Sequence, residues 1–82
     1  MRVYYVSFRS VTFGQQAERL LRSGGYQCSL RRSPRWMEEQ GCGYALRLRA
    51  EEIEPVIQLL RDRQIPMRRV YVQSADGKMV EV

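Results

Sequence analysis

The order of two hydrophobic periodicities along the chain most constrains its fold. Side chains alternate with the period of a strand in three segments that begin near Arg2, Tyr26 and Tyr44, and a fourth strand is expected around Met67 to Gln73. Helical periodicity fills the gap between the first and second segments and the gap between the third and fourth. The two helical apolar faces are Phe13, Ala17, Leu20 and Leu21, and then Ile53, Val56, Ile57 and Leu60. The chain therefore consists of two similar halves, each a strand, a helix and a strand.

Capping and turn residues mark the ends of these elements. Ser10 can cap the first helix, and so can Thr12 as part of a capping box, while Gly24-Gly25 ends the helix. Residues 74–80 hold an Asp-Gly turn between two strand-like arms. We expect this segment to add a hairpin and a fifth strand.

This order of elements predicts the ferredoxin-like βαββαβ fold. That fold is an α+β two-layer sandwich in which both helices lie on one face of an antiparallel sheet. In its usual strand order, 4-1-3-2, strand one is central and the start of strand three lies beside the end of strand one. We expect one domain over residues 1–82, with a core over about 2–73 and a hairpin extension over 74–82. An open βαβ variant with a shifted strand order is the alternative.

Length and composition limit what this domain can do. A chain of 82 residues has room for one small core, so homo-oligomerisation would be a natural source of stability. It has no signal peptide or bilayer-spanning run, and its two cysteines form no disulfide framework, so we expect a cytoplasmic protein without a membrane partner. Histidine is absent, which removes the usual general base and the commonest metal ligand, and we predict no metal site.

The positive charge of the chain is carried almost entirely by arginine. Thirteen arginines and one lysine against nine acids give a net charge of +5, which suits nucleic acid or an acidic protein partner. An RNA-binding sheet would require Tyr44 and Leu46 to face RNA. The alternation of these residues with Arg47 and Arg49 instead places them against the helices, so nucleic acid is not expected as a partner. The simplest role of these arginines and of Arg31 is to solubilise the helix-free face.

Cys42 is the candidate functional residue. It lies between Gly41 and Gly43, where a polar loop containing Pro34-Arg35 gives way to the third strand. The two glycines would clear space around a thiol that a second large molecule must approach. Cys42 also has the parity of Tyr44, so it could instead be the first core residue of its strand.

The expected topology brings further residues to this thiol. Because strand three begins beside the end of strand one, Arg9, Ser10 and the start of the first helix should lie next to Cys42. The free N–H groups at that helix start, together with Arg9 and Arg35, favour a thiolate or another anion. We therefore expect an electropositive corner around the cysteine.

Cys28 is expected to be structural, since it alternates with core positions on its strand. If Arg32 pairs with Cys42 across a hairpin, Cys28 lies about 13 Å from Cys42. A disulfide requires Cα atoms within about 7 Å, so we predict that none forms between them.

Several short motifs together resemble a known family. They are Phe8-x-Ser10, Ala17-Glu18-x-x-Leu21, Pro34-Arg35 and Cys42-Gly43-x-Ala45-Leu46-Arg47. Over about residues 3 to 72, this order is similar to that of small bacterial and archaeal domains described as selenium/sulfur carrier protein-like.

The resemblance implies a role for the thiol. Cys42 would hold sulfur or selenium as a persulfide or perselenide and pass it between donor and acceptor proteins, such as desulfurases or relay proteins. The chain would then be a carrier rather than an enzyme with net turnover, and it would need no bound cofactor. The alternative is a small ACT-like regulatory or interaction module in which Cys42 only packs.

Overall fold

The structure, a computed structural model, describes residues 1–33 and 43–82. In these ranges the elements are β1 (Arg2–Ser7), α1 (Val11–Ser23), β2 (Gln27–Arg32), β3 (Tyr44–Ala50), α2 (Glu54–Asp62), β4 (Val70–Gln73) and β5 (Met79–Glu81). The strands form one sheet in the order β2-β3-β1-β4-β5, and every neighbouring pair is antiparallel. The predicted α+β ferredoxin-like fold is confirmed, with β1 central and the fifth strand added beside β4.

One hydrophobic core joins the sheet to both helices. Its fully buried members include Val6, Phe8, Leu46 and Leu48 from the β1 and β3 segments, Ala17 and Leu21 from α1, and Val56 and Leu60 from α2. Because α1 and α2 contribute to the same cluster, they cover the same face of the sheet. Burying a large aliphatic side chain contributes about 1.5–3 kcal/mol, so this shared face is the main source of stability.

The opposite face of the sheet carries a smaller apolar cluster. Ala45 and Tyr71 are buried there, and Tyr5 and Met79 pack against them. These residues come from β3, β1, β4 and β5. Toward β2 the same face is occupied by arginine and polar side chains, so the helix-free face has an apolar part and a basic part.

Ser10 is the N-cap of α1. Its backbone is extended, and its Oγ accepts a hydrogen bond from the N–H of Phe13 at 3.3 Å. Thr12, the other cap considered, lies inside the helix. Pro55 lies in the first turn of α2, where a missing N–H costs no helical hydrogen bond.

The expected pairing of Arg32 with Cys42 is wrong. Arg32 pairs with Tyr44, and beyond this pair the N–H of Ser33 donates to the carbonyl oxygen of Gly43 at 2.9 Å. The true register differs from the expected one by two residues. Such a shift leaves every side chain on the same face of the sheet, so the hydrophobic pattern cannot distinguish the two registers.

The fourth strand is shorter than the expected range, about 67–73, because its start is irregular. The N–H of Arg68 donates to the carbonyl oxygen of Ser7 at 2.8 Å, and the N–H of Ser7 donates to the carbonyl oxygen of Arg69 at 2.9 Å. The buried Ser7 hydroxyl also accepts from the N–H of Arg69 at 3.1 Å. Arg68 and Arg69, the two residues before β4, thus both bond to Ser7 of β1. Two residues opposite one are typical of a β-bulge.

Candidate functional site

Three of the predicted site residues lie in the described ranges. They are Arg9, Ser10 and Gly43. Cys42, Gly41 and Arg35 lie outside the described residues, so the thiol itself and its predicted contacts remain predictions.

The sheet register places the three described residues at one end of the sheet. The ladder between β1 and β3 ends with Ser7 opposite Ala45. Arg9 follows Ser7 by two residues, and Gly43 precedes Ala45 by two residues. Both therefore lie just beyond the same end of the ladder. The β1–α1 junction and the residue that follows Cys42 therefore share one end of the domain, which we call the β1–α1 end.

The start of α1 supplies a positive partial charge at this end. The first turn contains no acidic residue, and the Ser10 side chain satisfies only the Phe13 N–H among the first donors. The free N–H groups of a helix start carry roughly half a positive charge and attract anions. Arg9, which is exposed, adds a full positive charge immediately before the cap.

Gly43 has a conformational reason to be glycine. Its φ is +87°, in the left-handed region that other residues adopt only with strain, and a Cβ added there would meet no atom of the described residues within 4 Å. Among the described residues, the space beside Gly43 is thus open. The positive φ at a strand end explains the glycine equally well, so this glycine alone does not identify a reactive cysteine.

Arg32 is a basic residue of this region that the sequence patterns did not single out. Its guanidinium carbon lies 5.7 Å from the ring centroid of Tyr44, its partner in the β2–β3 ladder. This distance is within the range of a cation–π interaction, which orients the guanidinium. Cross-strand pairing was the missing signal, because Arg32 and Tyr44 become neighbours only once the register is known.

Several acidic residues of the described chain lie away from the β1–α1 end or are already paired. Glu51, Glu52 and Glu54 follow the far end of β3. Glu81 is bound by Arg69, whose Nη1 lies 2.9 Å from a carboxylate oxygen. Among the residues described, neither Arg9 nor Arg32 has an acidic partner.

Cys28 lies in the core, as predicted. Its side chain is 8% exposed, and its Sγ lies 3.8 Å from the backbone carbonyl oxygen of Glu18. Burial raises the pKa of the Cys28 thiol, an effect that nearby Arg22 opposes and Glu18 reinforces. A neutral, buried thiol is a poor nucleophile, so Cys28 fits a packing role.

Two other kinds of functional element, a membrane-spanning helix and a metal-binding cluster, are absent from the described part of the chain. Over residues 1–33 and 43–82, neither helix is long and apolar enough to cross a membrane. Across the same ranges, no three His, Cys, Asp or Glu side chains are grouped so that they could hold a metal ion.

Comparison with known proteins gives one match. A family model described as "Putative Se/S carrier protein-like" matches residues 3–72. No curated protein and no solved structure matches the chain significantly. The matched range begins in β1 and ends within β4, so it contains the whole βαββαβ unit and leaves β5 outside.

Proposed function

Because the chain belongs to the Se/S carrier protein-like family, we propose that it carries sulfur or selenium covalently on Cys42 and transfers it between partner proteins. The family match over residues 3–72 is the observation that carries this proposal. Membership of this family makes the chain a selenium/sulfur carrier-like domain. The persulfide chemistry and the identity of the carrier residue are our proposal.

The proposed loading step is an exchange at sulfur. The Cys42 thiolate attacks the terminal sulfur of a donor persulfide, R–S–SH. The new bond joins Cys42 Sγ to that sulfur, the donor S–S bond breaks, and the donor leaves as the thiolate R–S⁻. Cys42 then holds a persulfide with its terminal proton retained, and no external oxidant or reductant is consumed. An acceptor nucleophile reverses the chemistry by attacking the terminal sulfur and releasing the Cys42 thiolate.

The β1–α1 end supports this chemistry in two ways. The start of α1, Arg9 and Arg32 supply positive charge in the region to which Gly43 belongs, and positive charge favours a thiolate over a thiol. The open space beside Gly43 leaves room for a donor protein to approach. Arg35 and Gly41 remain proposed contributors on the basis of their positions in the sequence.

Mass spectrometry of the intact protein tests the proposal. The chain is incubated with a cysteine desulfurase and cysteine, and we expect a gain of about 32 Da for each sulfur held. Peptide mapping should locate the added sulfur on Cys42. Cys42→Ser should remove the gain, whereas Cys28→Ala, the matched control at the buried cysteine, should retain it.

Two outcomes would contradict the proposal. Sulfur mapped to Cys28 would show that Cys28, and not Cys42, is the carrier residue. A mass gain that persists in Cys42→Ser would show that labelling is non-specific. Circular dichroism spectra of the variants that match the wild type exclude unfolding as the cause of a lost signal.

A further inference from the structure

Three arginines form a basic strip on the helix-free face. Arg47 and Arg49 alternate along β3 with Leu46 and Leu48, which are buried against the helices, so the arginines project from the other face. On β2, Arg31 is opposite Ala45 and therefore shares their face. Arg31 and Arg49 are exposed, and Arg47 is half-buried. We call Arg31, Arg47 and Arg49 the arginine strip.

The strip places like charges close together. Arg47 and Arg49 are two residues apart on one strand, which separates their Cα atoms by roughly 6.6 Å. Arg31 is diagonal to Arg47 across the β2–β3 ladder, at about 7 Å. The Nε of Arg31 donates to the Ser29 hydroxyl at 3.0 Å, and Ser29 is directly opposite Arg47. The Arg31 guanidinium is therefore held toward Arg47 rather than away from it.

No acid of the described chain neutralises the strip. The ion pairs within residues 1–33 and 43–82 join Arg22 to Glu18 and Arg69 to Glu81. Positive charges about 7 Å apart repel one another, and a solubilising surface would lower this repulsion by mixing positive and negative side chains. A bound anionic partner would offset the repulsion. A shallow depression of about 250 Å³, lined by Gln27, Cys28, Ser29, Arg47 and Arg49, lies along the strip.

We propose that the arginine strip is the docking surface for a carboxylate-rich face of a partner protein. This inference rests on the proposed function, because it assigns the strip to the protein that exchanges sulfur with Cys42. Arg31 is two residues before Ser33, whose N–H bonds to the carbonyl oxygen of Gly43. A partner held on β2 and β3 is thus bound to the two strands that flank residues 34–42.

A protein partner fits this surface better than a single-stranded nucleic acid. Nucleic-acid sheets combine basic side chains with exposed aromatic rings on which bases stack. Between and beside the arginines, β2 and β3 present Gln27, Ser29 and the buried Ala45. The aromatic residues Tyr71 and Tyr5 also lie on this face, but Tyr71 is only 9% exposed, and Tyr5, opposite Arg47, is half-buried against the apolar cluster. Arginine forks match carboxylates with two parallel hydrogen bonds and need no aromatic support.

Binding of labelled polyanions tests the strip. The probes are poly-L-glutamate and a single-stranded oligonucleotide of equal charge, titrated with the full chain and followed by fluorescence anisotropy. The test variant carries Arg31→Gln, Arg47→Gln and Arg49→Gln. The control carries Arg19→Gln, Arg61→Gln and Arg63→Gln, three exposed arginines outside the strip, and it lowers the net charge of +5 by the same three units.

We expect the test variant to bind poly-L-glutamate about tenfold more weakly than the wild type, and the control variant to bind within about twofold of it. If both variants bind poly-L-glutamate equally weakly, net charge alone explains the effect, and the proposal is overturned. Tighter binding of the oligonucleotide than of poly-L-glutamate would assign the strip to nucleic acid, which also overturns it, as would the absence of binding to either probe. If the triple variant does not fold, the single changes Arg31→Gln and Arg49→Gln at exposed positions give the same comparison.

Cys42→Ser separates this inference from the carrier role. This variant should bind poly-L-glutamate as the wild type does, because the strip does not include the thiol. Failure of the wild type to take up sulfur, together with strip-dependent binding of poly-L-glutamate, would refute the carrier role alone. If the wild type takes up sulfur but the strip variant binds poly-L-glutamate as well as the control variant does, only the docking surface is refuted.

Discussion

The Glu18 carboxylate accepts a hydrogen bond from the backbone N–H of Leu30 at 2.8 Å, which ties helix α1 to the outer edge of strand β2. One turn further along α1, the Nε of Arg22 donates to the carbonyl oxygen of Cys28 at 3.0 Å. These two backbone groups are on the side of β2 that faces away from β3. An unpaired strand edge is a template for association with other chains, so this pair of side chains protects the edge.

We expect Glu18→Ala to destabilise the protein by about 1 kcal/mol, because it leaves the Leu30 N–H without its charged acceptor. Urea denaturation followed by circular dichroism measures the free energy of unfolding. Gln15→Ala, at an exposed position of the same helix, is the matched control and should change it by less than about 0.5 kcal/mol. Sedimentation velocity should also reveal more self-association of Glu18→Ala than of the control. Equal stability of the two variants would contradict the edge-protecting role of Glu18.

Ser10→Ala should lower the free energy of unfolding by about 1 kcal/mol, because it removes the side-chain acceptor of the Phe13 N–H. Thr12→Ala is the control, since Thr12 was the other cap that the sequence allowed and the structure places it within the helix. Alanine is a better helix former than threonine, so this change should leave stability equal or slightly higher. Thermal unfolding of both variants decides the matter, and a larger loss for Thr12→Ala would reassign the cap.

Gly43→Ala should cost about 1 kcal/mol, because alanine is strained at a φ of +87° even though its Cβ would meet no neighbour. Gly24→Ala is the control, because Gly24 has a φ of −84° and its added Cβ would lie at an ordinary 3.5 Å from the Leu21 carbonyl oxygen. Chemical denaturation should rank Gly43→Ala as the less stable variant. The reverse order would mean that backbone strain is not what selects glycine at position 43.

The Cys28 thiol should make stability depend on pH in the alkaline range. Burial raises its pKa in the folded protein, so the folded state favours the neutral thiol. The resulting contribution is fully present below the unfolded thiol pKa of about 8.5 and is lost as the pH rises through the folded value. The free energy of unfolding of the wild type minus that of Cys28→Ala should therefore decrease as the pH rises above about 8.5. A difference that stays constant through this range would contradict the direction of the shift.

The fold could be predicted from the sequence because the strands and the helices differ in hydrophobic period. Alternation in Arg2–Ser7 and Tyr44–Ala50 and helical spacing in Val11–Ser23 specify type and order independently of long-range contacts. The β2–β3 register was not predictable in the same way. Moving the partner of Arg32 from Cys42 to Tyr44 changes every pair of the ladder but preserves both faces, so the hydrophobic pattern fits either hairpin.

The candidate site was predictable only as a location. Strand order alone brings Arg9, Ser10 and Gly43 to one end of the sheet, because β1 and β3 are antiparallel neighbours. The interaction of Arg32 with Tyr44 depends on the register, and the contact of Glu18 with Leu30 depends on how α1 packs beside β2. No periodic pattern in the sequence relates the residues that these contacts join, so the contacts could not be predicted from it.

The hydrogen bond between Ser33 and Gly43 divides the chain into parts that can evolve separately. It lies at the end of the β2–β3 ladder, and the pairs from Gln27 with Arg49 to Arg32 with Tyr44 join β2 to β3 within the described residues. The entropy of closing a loop grows slowly with its length, by about 0.6 kcal/mol for each doubling. Insertions, deletions and replacements between Ser33 and Gly43 that keep Cys42 should therefore accumulate among descendants of this gene while the framework is kept. Exchange of this segment between relatives would be a direct route to new chemistry on an unchanged scaffold.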